Sequence, residues 1–390
     1  MTLISRRPTR RPADTVLKAT GQEHPEAVLR IAGRFRIGGR AIAAVELRAG
    51  HINDSFVVST ASGRRFLLQR VNRYVFPNPA RVMENIVRIT RHLERRLGPE
   101  SARRRLTLVP AVDGGMWSET AAKEGPADWW RMYELIEDTT TELRASTPEQ
   151  AFLAAQAFGR FEMQFIDLPS PPLHETIPGF HATLNRFEAL DRALAAARAS
   201  VAGKARHRQA TAEIRSVAGH RSLAAGLSGT AARKLPRRTV HNDCKISNIL
   251  FDRTTGEALC VVDLDTTMPG LAAYDFGDMV RSMSHRADED AQNTAEAQVD
   301  LELFAALAQG YLDGAGFLTA AERRSLVDGA LVLTLEQAVR FLTDHLDGDV
   351  YFRVERPGQN LDRCRVQLAL LESLLARDGD LRRIVGGATT

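Results

Sequence analysis

The chain has 390 residues, with 52 lysines and arginines against 48 aspartates and glutamates, a net charge of +4 that is weak for this length. With 44% hydrophobic and 26% charged residues the composition is globular, excludes a disordered chain, and suffices for two lobes with separate cores. Its arginine clusters, RRPTRR from Arg6 and SARRR from Ser101, have no aromatics interleaved, so they read as solvated faces and not as a nucleic-acid stripe.

The N-terminal MTLISRRPTRRPAD lacks the apolar core of a secretory signal, and residues 1–30 read as a loosely ordered, flexible segment. From Ala41 the chain alternates: AIAAVELRAG, HINDSFVVST and GRRFLLQRV predict three strands, with ASGR as the turn between the last two. Asn78-Pro79 then starts a helix whose apolar stripe is Val82, Ile86, Ile89 and Leu93. LTLVPAV and ADWWRMYELIE predict two further strands, so residues 31–135 form a small β-rich N-terminal lobe. Trp129 and Trp130 read as packing residues.

Residues 136–390 are mainly helical. TPEQAFLAAQAFGRFEMQFIDL is a helix with a threonine cap and Glu149 in its first turn; further helices are expected near 182–202, 206–227, 301–312, 319–344 and 361–378. Strand signals remain only at NILFD and ALCVVDLD, joined by the turn RTTGE. Cys244, Cys260 and Cys364 have neither paired spacing nor zinc-ligand spacing, which excludes a disulfide scaffold and fits a reducing cytoplasm. No run approaches 18 uncharged apolar residues, so no membrane span is expected. Oligomeric state leaves no trace in the pattern. A β-rich lobe followed by a helical lobe carrying one hairpin is the α+β, bilobal outline of a kinase.

The chemistry is concentrated in His241-Asn242-Asp243-Cys244-Lys245-Ile246-Ser247-Asn248. Its Asp-x-x-x-x-Asn spacing matches the kinase catalytic loop. Phosphoryl transfer asks for a positioned nucleophile and neutralised phosphate charge. Asp243 would accept the proton of the acceptor hydroxyl, and Asn248 would offer a neutral oxygen to Mg²⁺. Asp263, at the exit of the second strand of the hairpin, would bridge metal and phosphates beside Asn248. A turn that merely caps strands would not combine all of these with a histidine two residues before the aspartate.

Asp275-Phe276-Gly277 spells the metal-binding tripeptide of protein kinases, yet it opens a helix and does not follow a strand. Asp275 therefore reads as a helix cap and a brace for the catalytic loop, with His241 as a second supporting residue. Asp265 is open to two readings, a second metal ligand or the partner of a basic side chain.

These motifs resemble the aminoglycoside phosphotransferase/choline kinase-like family over nearly the whole chain after about residue 25. The likeness is closer still to its N-acetylhexosamine 1-kinase branch, through GHINDSF at Gly50, FLLQRVN at Phe66, HND at His241, VVDLDT at Val261 and VRFLTDHLDGD at Val339. The resemblance implies a protein-kinase-like fold, ATP and Mg²⁺ as cofactors, and a small-molecule sugar acceptor phosphorylated at its anomeric hydroxyl. It also departs from protein kinases. Near Gly50 there is one glycine where a glycine-rich loop would stand, and the strand lysine is replaced by Gln69 followed by Arg70, of which only one can face the cleft. Glu84 then lacks its lysine partner.

The edge of WWRMYELIEDT is the expected hinge, where the backbone of Glu134, Leu135 and Ile136 would pair with adenine. His51, Asn53 and Asp54 face a hydroxyl-rich acceptor or form a polar turn. For Arg340 an ion pair with Asp344, four residues on, is the plain reading, whereas the resemblance favours Arg340 and Tyr351 reaching the sugar. Competing functions are a kinase of an amino alcohol or aminoglycoside, and a catalytically inactive nucleotide-binding regulator.

Overall fold

A computed structural model describes residues 26–47, 52–121 and 126–388. The segment expected to be loose includes helix α1 (Glu26–Ala32), whose Val28 and Ala32 are buried in one cluster with Phe56, Phe66 and Leu68. Strands β1 (Ala41–Leu47), β2 (Asp54–Thr60) and β3 (Arg65–Arg70) form an antiparallel meander. The turn between β2 and β3 places Gly63 at φ 83°, a conformation that glycine adopts without strain. Helix α2 (Pro79–Leu97) starts where expected, with the Asn78 side chain accepting from Arg81 N–H at 3.3 Å and proline in its first turn. Its face of Val82, Ile86, Ile89 and Leu93 is buried in the core that joins the lobes.

Strands β4 (Ser118–Thr120) and β5 (Asp128–Glu134) complete a sheet of order β1-β2-β3-β5-β4. The strand expected at LTLVPAV is a correction. That stretch makes only isolated bridges, Leu108 with Tyr133 and Ala111 with Phe35, because Pro110 supplies no N–H to continue a ladder. The short β4 takes its place in the sheet.

The second lobe opens with β6 (Thr139–Thr140), α3 (Pro148–Met163, capped by Thr147) and α4 (Thr183–Ala197). The helix expected over 206–227 is broken into α5 (Val201–Gln209), α6 (Thr211–Gly219) and a 3₁₀ turn at Arg221–Ala225, followed by the short α7 (Gly229–Arg233). Next come β7 (Arg238–Val240), β8 (Ile249–Asp252), β9 (Ala258–Val261) and β10 (Met268–Gly270). Strand β8 pairs with β6 and β9, while β7 pairs with β10, so both ends of the loop at 241–248 are fixed in small sheets. Helices α8 (Ala272–Met283), α9 (Leu301–Gly314), α10 (Ala320–Asp347), α11 (Gln359–Ala376) and α12 (Asp378–Gly387) complete the lobe. Among the described residues no helix is long and apolar enough to cross a membrane.

Helix α10 starts at a capping box of Thr319 and Glu322 and crosses α8 at backbone contact. A Cβ on Gly277 would lie 2.4 Å from the Gly329 carbonyl oxygen, and one on Gly329 would lie 2.0 Å from that of Ala273. Two mid-helix glycines forfeit about 2 kcal/mol of helix propensity relative to alanine. The close crossing of the two helices is what they make possible.

Candidate active site

The loop after β7 is held by its own backbone. Asn242 adopts the left-handed region at φ 64°, and the N–H groups of His241 and Asn242 both donate to the Asp275 carboxylate, at 2.6 and 2.7 Å. Asp275 is fully buried. It is not the cap of α8, as expected from the sequence: Leu271 occupies that position, and Asp275 sits in the first turn with its carboxylate turned across to the loop. Burial raises its carboxyl above the usual range, and the two backbone donors only partly offset this. His241 Nε2 meets the Val262 carbonyl at 2.9 Å while its Nδ1 accepts from Asp243 N–H at 3.3 Å, which together require the Nε2–H tautomer. The rings of Phe158 and Phe161 close edge-on around this imidazole.

Asp243 and Asn248 meet as the spacing predicts. Asn248 Nδ2 donates to the Asp243 carbonyl at 2.8 Å and to its carboxylate at 2.9 Å, which leaves the Asn248 side-chain oxygen for another partner. Sequence reasoning passed over Lys245, whose Nζ lies 3.0 Å from Asp243 Oδ2; its place two residues after the aspartate was the available signal. Burial pushes the Asp243 carboxyl up, but Lys245 and the Asn248 amide outweigh it and hold the group at about 2.

Asp263, two residues beyond β9, precedes the 3₁₀ turn Leu264–Thr266 in the left-handed region at φ 61°, a strained conformation, and its carboxylate feels the charges of Asp243 and Lys245 on the loop. Removal from water and the neighbouring Asp265 and Asp243 push it up to about 6. Among the described residues no donor hydrogen-bonds this carboxylate. Nor do three His, Cys, Asp or Glu side chains gather there as a closed metal cluster. A carboxylate crowded by negative charge, with one neutral amide oxygen beside it, suits a hard dication that keeps waters and takes its other ligands from phosphates.

On the N-terminal side, alternation along β3 decides which of the paired residues looks in. Arg70 turns away from the cleft: its Nε donates to Asp54 at 2.8 Å and its guanidinium stacks 5.7 Å from the Trp130 ring. Asp54 is thereby spent on an exposed pair. Gln69 faces inward, donating to Ser55 at 3.0 Å and accepting at 3.0 Å from Arg131, the β5 residue directly opposite. Arg131, which the sequence did not single out, is 1% exposed and also donates to Asp265. Of the two readings left open for Asp265, the structure thus provides the basic partner. Asn53 does not face an acceptor, because its amide donates to Asp265 at 2.6 Å and its oxygen accepts from Asn72 N–H. Gly50 and His51 lie outside the described residues. Glu84 pairs with His174 at 2.7 Å and not with Arg131. At the expected hinge, Glu134 N–H bonds Thr107 O at 2.9 Å and Leu135 N–H bonds Arg65 O at 3.3 Å, whereas the Ile136 N–H has no backbone partner among the described residues.

The expected Arg340–Asp344 ion pair does not form. Asp344 accepts instead from the backbone N–H groups of Val350, Tyr351 and Phe352, and shapes the turn after α10. Arg340 is left with Gln337 at 3.0 Å and three rings, Phe180, Tyr351 and Phe352, between 5.3 and 5.8 Å from its guanidinium carbon. Arg186, missed in the sequence, lies on the same wall. It donates to the Phe180 carbonyl, its Nε is buried without a partner, and burial together with Arg340 lowers its affinity for a proton. Neither arginine has a carboxylate at ion-pair distance among the described residues. His181, next to Phe180, connects this wall to the loop through Glu336 of α10 at 2.9 Å and the Asn242 carbonyl at 3.2 Å.

Solved structures with this architecture share little of the sequence. An aminoglycoside phosphotransferase from Alicyclobacillus acidocaldarius is similar with TM-score 0.58 at 15% identity, over 93% of this chain and 97% of that one. A microcompartment-associated aminopropanol kinase gives TM-score 0.57 at 15% identity, covering 90% of this chain and 98% of its own. An amicoumacin kinase solved in complex with AMP-PNP and Ca²⁺ gives TM-score 0.52 at 12% identity, over 93% of both chains. At these identities the likeness speaks for the fold, a β-sheet lobe on a helical lobe. The family model of the phosphotransferase enzyme family matches residues 43–326, more than half of the chain and spanning the sheet, the Asp243 loop and Asp263. The chain belongs to the phosphotransferase enzyme family.

Proposed function

We propose that this phosphotransferase is an ATP- and Mg²⁺-dependent kinase that places the γ-phosphoryl group on the anomeric hydroxyl of a hexose or N-acetylhexosamine. The kinase chemistry is supported by Asp243, Asn248, Lys245 and Asp263 around one point. Asp243 would orient the acceptor hydroxyl and receive its proton as the bond to phosphorus forms. Lys245 keeps Asp243 ionised and adds positive charge where the transferred group becomes most negative. Asp263 and the Asn248 side-chain oxygen would hold Mg²⁺, which when bound neutralises the nucleotide phosphates. The Ile136 N–H is the donor we assign to adenine. His241 and Asp275 support the loop and touch no substrate in this reading. The buried, unpaired Cys244, Cys260 and Cys364 fit a reducing cytoplasm.

The observation that carries the sugar reading is the pair Arg186 and Arg340 on the proposed acceptor wall: among the described residues neither has a carboxylate at ion-pair distance, and the buried Glu336 that attracts Arg186 is itself held by His181 and Thr183. Two guanidinium groups repel the ammonium of an amino alcohol or aminoglycoside and suit hydroxyl and carbonyl oxygens. The fold likeness to an aminopropanol kinase keeps the amino-alcohol reading as the second to test. Nucleotide consumption measured across N-acetylhexosamines, hexoses and amino alcohols separates them, and ³¹P–¹³C correlation of the product locates the phosphate. Turnover confined to amino alcohols overturns the sugar reading, and phosphate on any other carbon overturns the 1-kinase reading while leaving the kinase chemistry. A chain that binds nucleotide and turns over none of the panel supports the inactive regulator.

A further inference from the structure

The strand position that carries a lysine in protein kinases is Gln69 here, and an amide cannot neutralise phosphate or metal-site charge. We propose that Arg131, projecting from the neighbouring strand, stands in for that lysine as a positioning residue: through Asp265 it fixes the turn bearing Asp263 to the N-terminal lobe and balances that turn's charge. The inference rests on the nucleotide-binding part of the proposed function and is independent of the acceptor.

Register comes first. Gln69 and Arg131 are direct partners in the β3–β5 ladder, so their side chains leave the sheet on the same face, toward the second lobe. Gln69 then acts as a rail. Its Nε2 donates to Ser55 at 3.0 Å, which fixes the amide, and its Oε1 receives Arg131 Nε–H at 3.0 Å. With one edge of the guanidinium so aimed, Nη1 meets Asp265, and the Tyr133 ring flanks the group at 5.5 Å.

The other carboxylate oxygen of Asp265 accepts from Asn53 at 2.6 Å, and Asn53 is itself held by Asn72 N–H at 2.9 Å. Both Asp265 oxygens are therefore gripped by the N-terminal lobe. From the other side, Thr176 donates to the Asp265 backbone carbonyl at 2.8 Å. Asp265 sits in the 3₁₀ turn Leu264–Thr266 that begins directly after Asp263. Fixing that turn fixes where the Asp263 carboxylate points, and the same contact sets how the lobes meet.

Charge and shape both call for arginine. Asp243, Asp263 and Asp265 form an acidic group with Lys245 at one end and Arg131 at the other. Without Arg131 the turn would carry two carboxylates with no cation of its own. A lysine ammonium has one compact tip, whereas the planar guanidinium bonds Gln69 and Asp265 at once. Arg131 and Asp265 are 1% and 2% exposed, and burying such a pair costs desolvation that its attraction barely repays, so stability alone explains it poorly.

The test uses the whole chain and a non-hydrolysable ATP analogue with a Mg²⁺ titration, read by calorimetry, beside melting temperature. Arg131→Met and Asp265→Asn should each weaken Mg²⁺-dependent analogue binding about 10- to 100-fold, the effect usual for removing a partner that orients a metal ligand. Arg131→Lys should fall between them and the wild type. The double variant Arg131→Met/Asp265→Asn removes both charges, so it should recover melting temperature without recovering binding. Should Arg131→Met fail to fold, the lysine and double variants carry the same comparison. If the double variant regains both properties, or the folded single variants bind within about twofold of wild type, Arg131 is only a structural tie. A wild-type chain that binds no nucleotide overturns the kinase function and this role together, whereas equal binding by wild type and variants overturns this role alone.

Discussion

Replacing Asp275 with alanine separates its role from that of Asp263. The substitution deletes two charge-assisted acceptors, at 2.6 Å from His241 N–H and 2.7 Å from Asn242 N–H, in a site with no exposure. Hydrogen bonds to a charged group contribute about 1.5–3 kcal/mol each, so the gross loss is about 3–6 kcal/mol. Part of it returns. The Asp275 carboxyl is raised in the folded state, so its contribution to stability is full below the unfolded carboxyl range and is lost as pH rises through the folded value. The desolvation of this buried carboxyl, which alanine removes, offsets part of the gross loss. A net local loss of about 2–4 kcal/mol remains, which corresponds to about 30- to 800-fold faster amide exchange at His241 and Asn242. Hydrogen exchange of the peptide spanning β7 and the loop reads this directly, and a Mg²⁺ titration of nucleotide binding should shift by less than about threefold. Unchanged exchange with a lost Mg²⁺ requirement would show that Asp275, and not Asp263, serves the metal.

Asp243→Asn should lower kcat by about 10²–10⁴-fold with nucleotide affinity nearly intact, since it removes the proton acceptor and no nucleotide contact; wild-type turnover on the best substrate refutes the assignment. Asp263→Ala should instead weaken Mg²⁺-dependent nucleotide binding more than tenfold along with the rate, as measured by calorimetry at several Mg²⁺ concentrations. Arg340→Ala should raise KM for the sugar far more than KM for ATP, with little change in melting temperature because no Asp344 pair is lost. An equal rise in both KM values would remove Arg340 from the acceptor site. A 1-deoxy sugar should bind competitively and not react, and its phosphorylation would exclude the anomeric oxygen as the acceptor.

The first three strands, β5, the β8–β9 hairpin and the helical character of the second lobe were legible because each rests on local signals: alternation, the Asn78-Pro79 start, the Thr147 and Thr319 caps; β4, β6, β7 and β10 are two or three residues long and leave no such period. The Asp243–Asn248 contact was legible for the same reason, since five residues of loop hold both side chains. What escaped depends on partners far along the chain. Arg131 reads as one polar residue in an alternating strand until register sets it opposite Gln69 and the lobes bring Asp265 to it, 134 residues away. Arg340 and Asp344 have the spacing of a helical ion pair, but three backbone donors of the following turn take that carboxylate while the Arg340 guanidinium lies among three rings. Asp275 resembles a cap by sequence because the rule for caps sees neighbours along the chain, and its partners belong to another segment.

The glycine crossing of α8 and α10 also bears on how such an enzyme can acquire a new acceptor. Arg340 lies eleven residues beyond Gly329, about 16 Å further along the helix axis. That stretch works as a lever arm: a tilt of about ten degrees at the crossing would carry the guanidinium by about 3 Å, the length of a hydrogen bond. Gly277, at the pivot, is two residues from Asp275, so the same tilt would disturb the catalytic loop before it helped a new substrate. With Arg340 and Tyr351 in the acceptor wall proposed above, change of specificity would be channelled into exchanges at the far end of α10 and in the turn around Tyr351, where the wall can be rebuilt while the pivot stays still. Selection or design for a different acceptor should accumulate substitutions there and leave both glycines untouched.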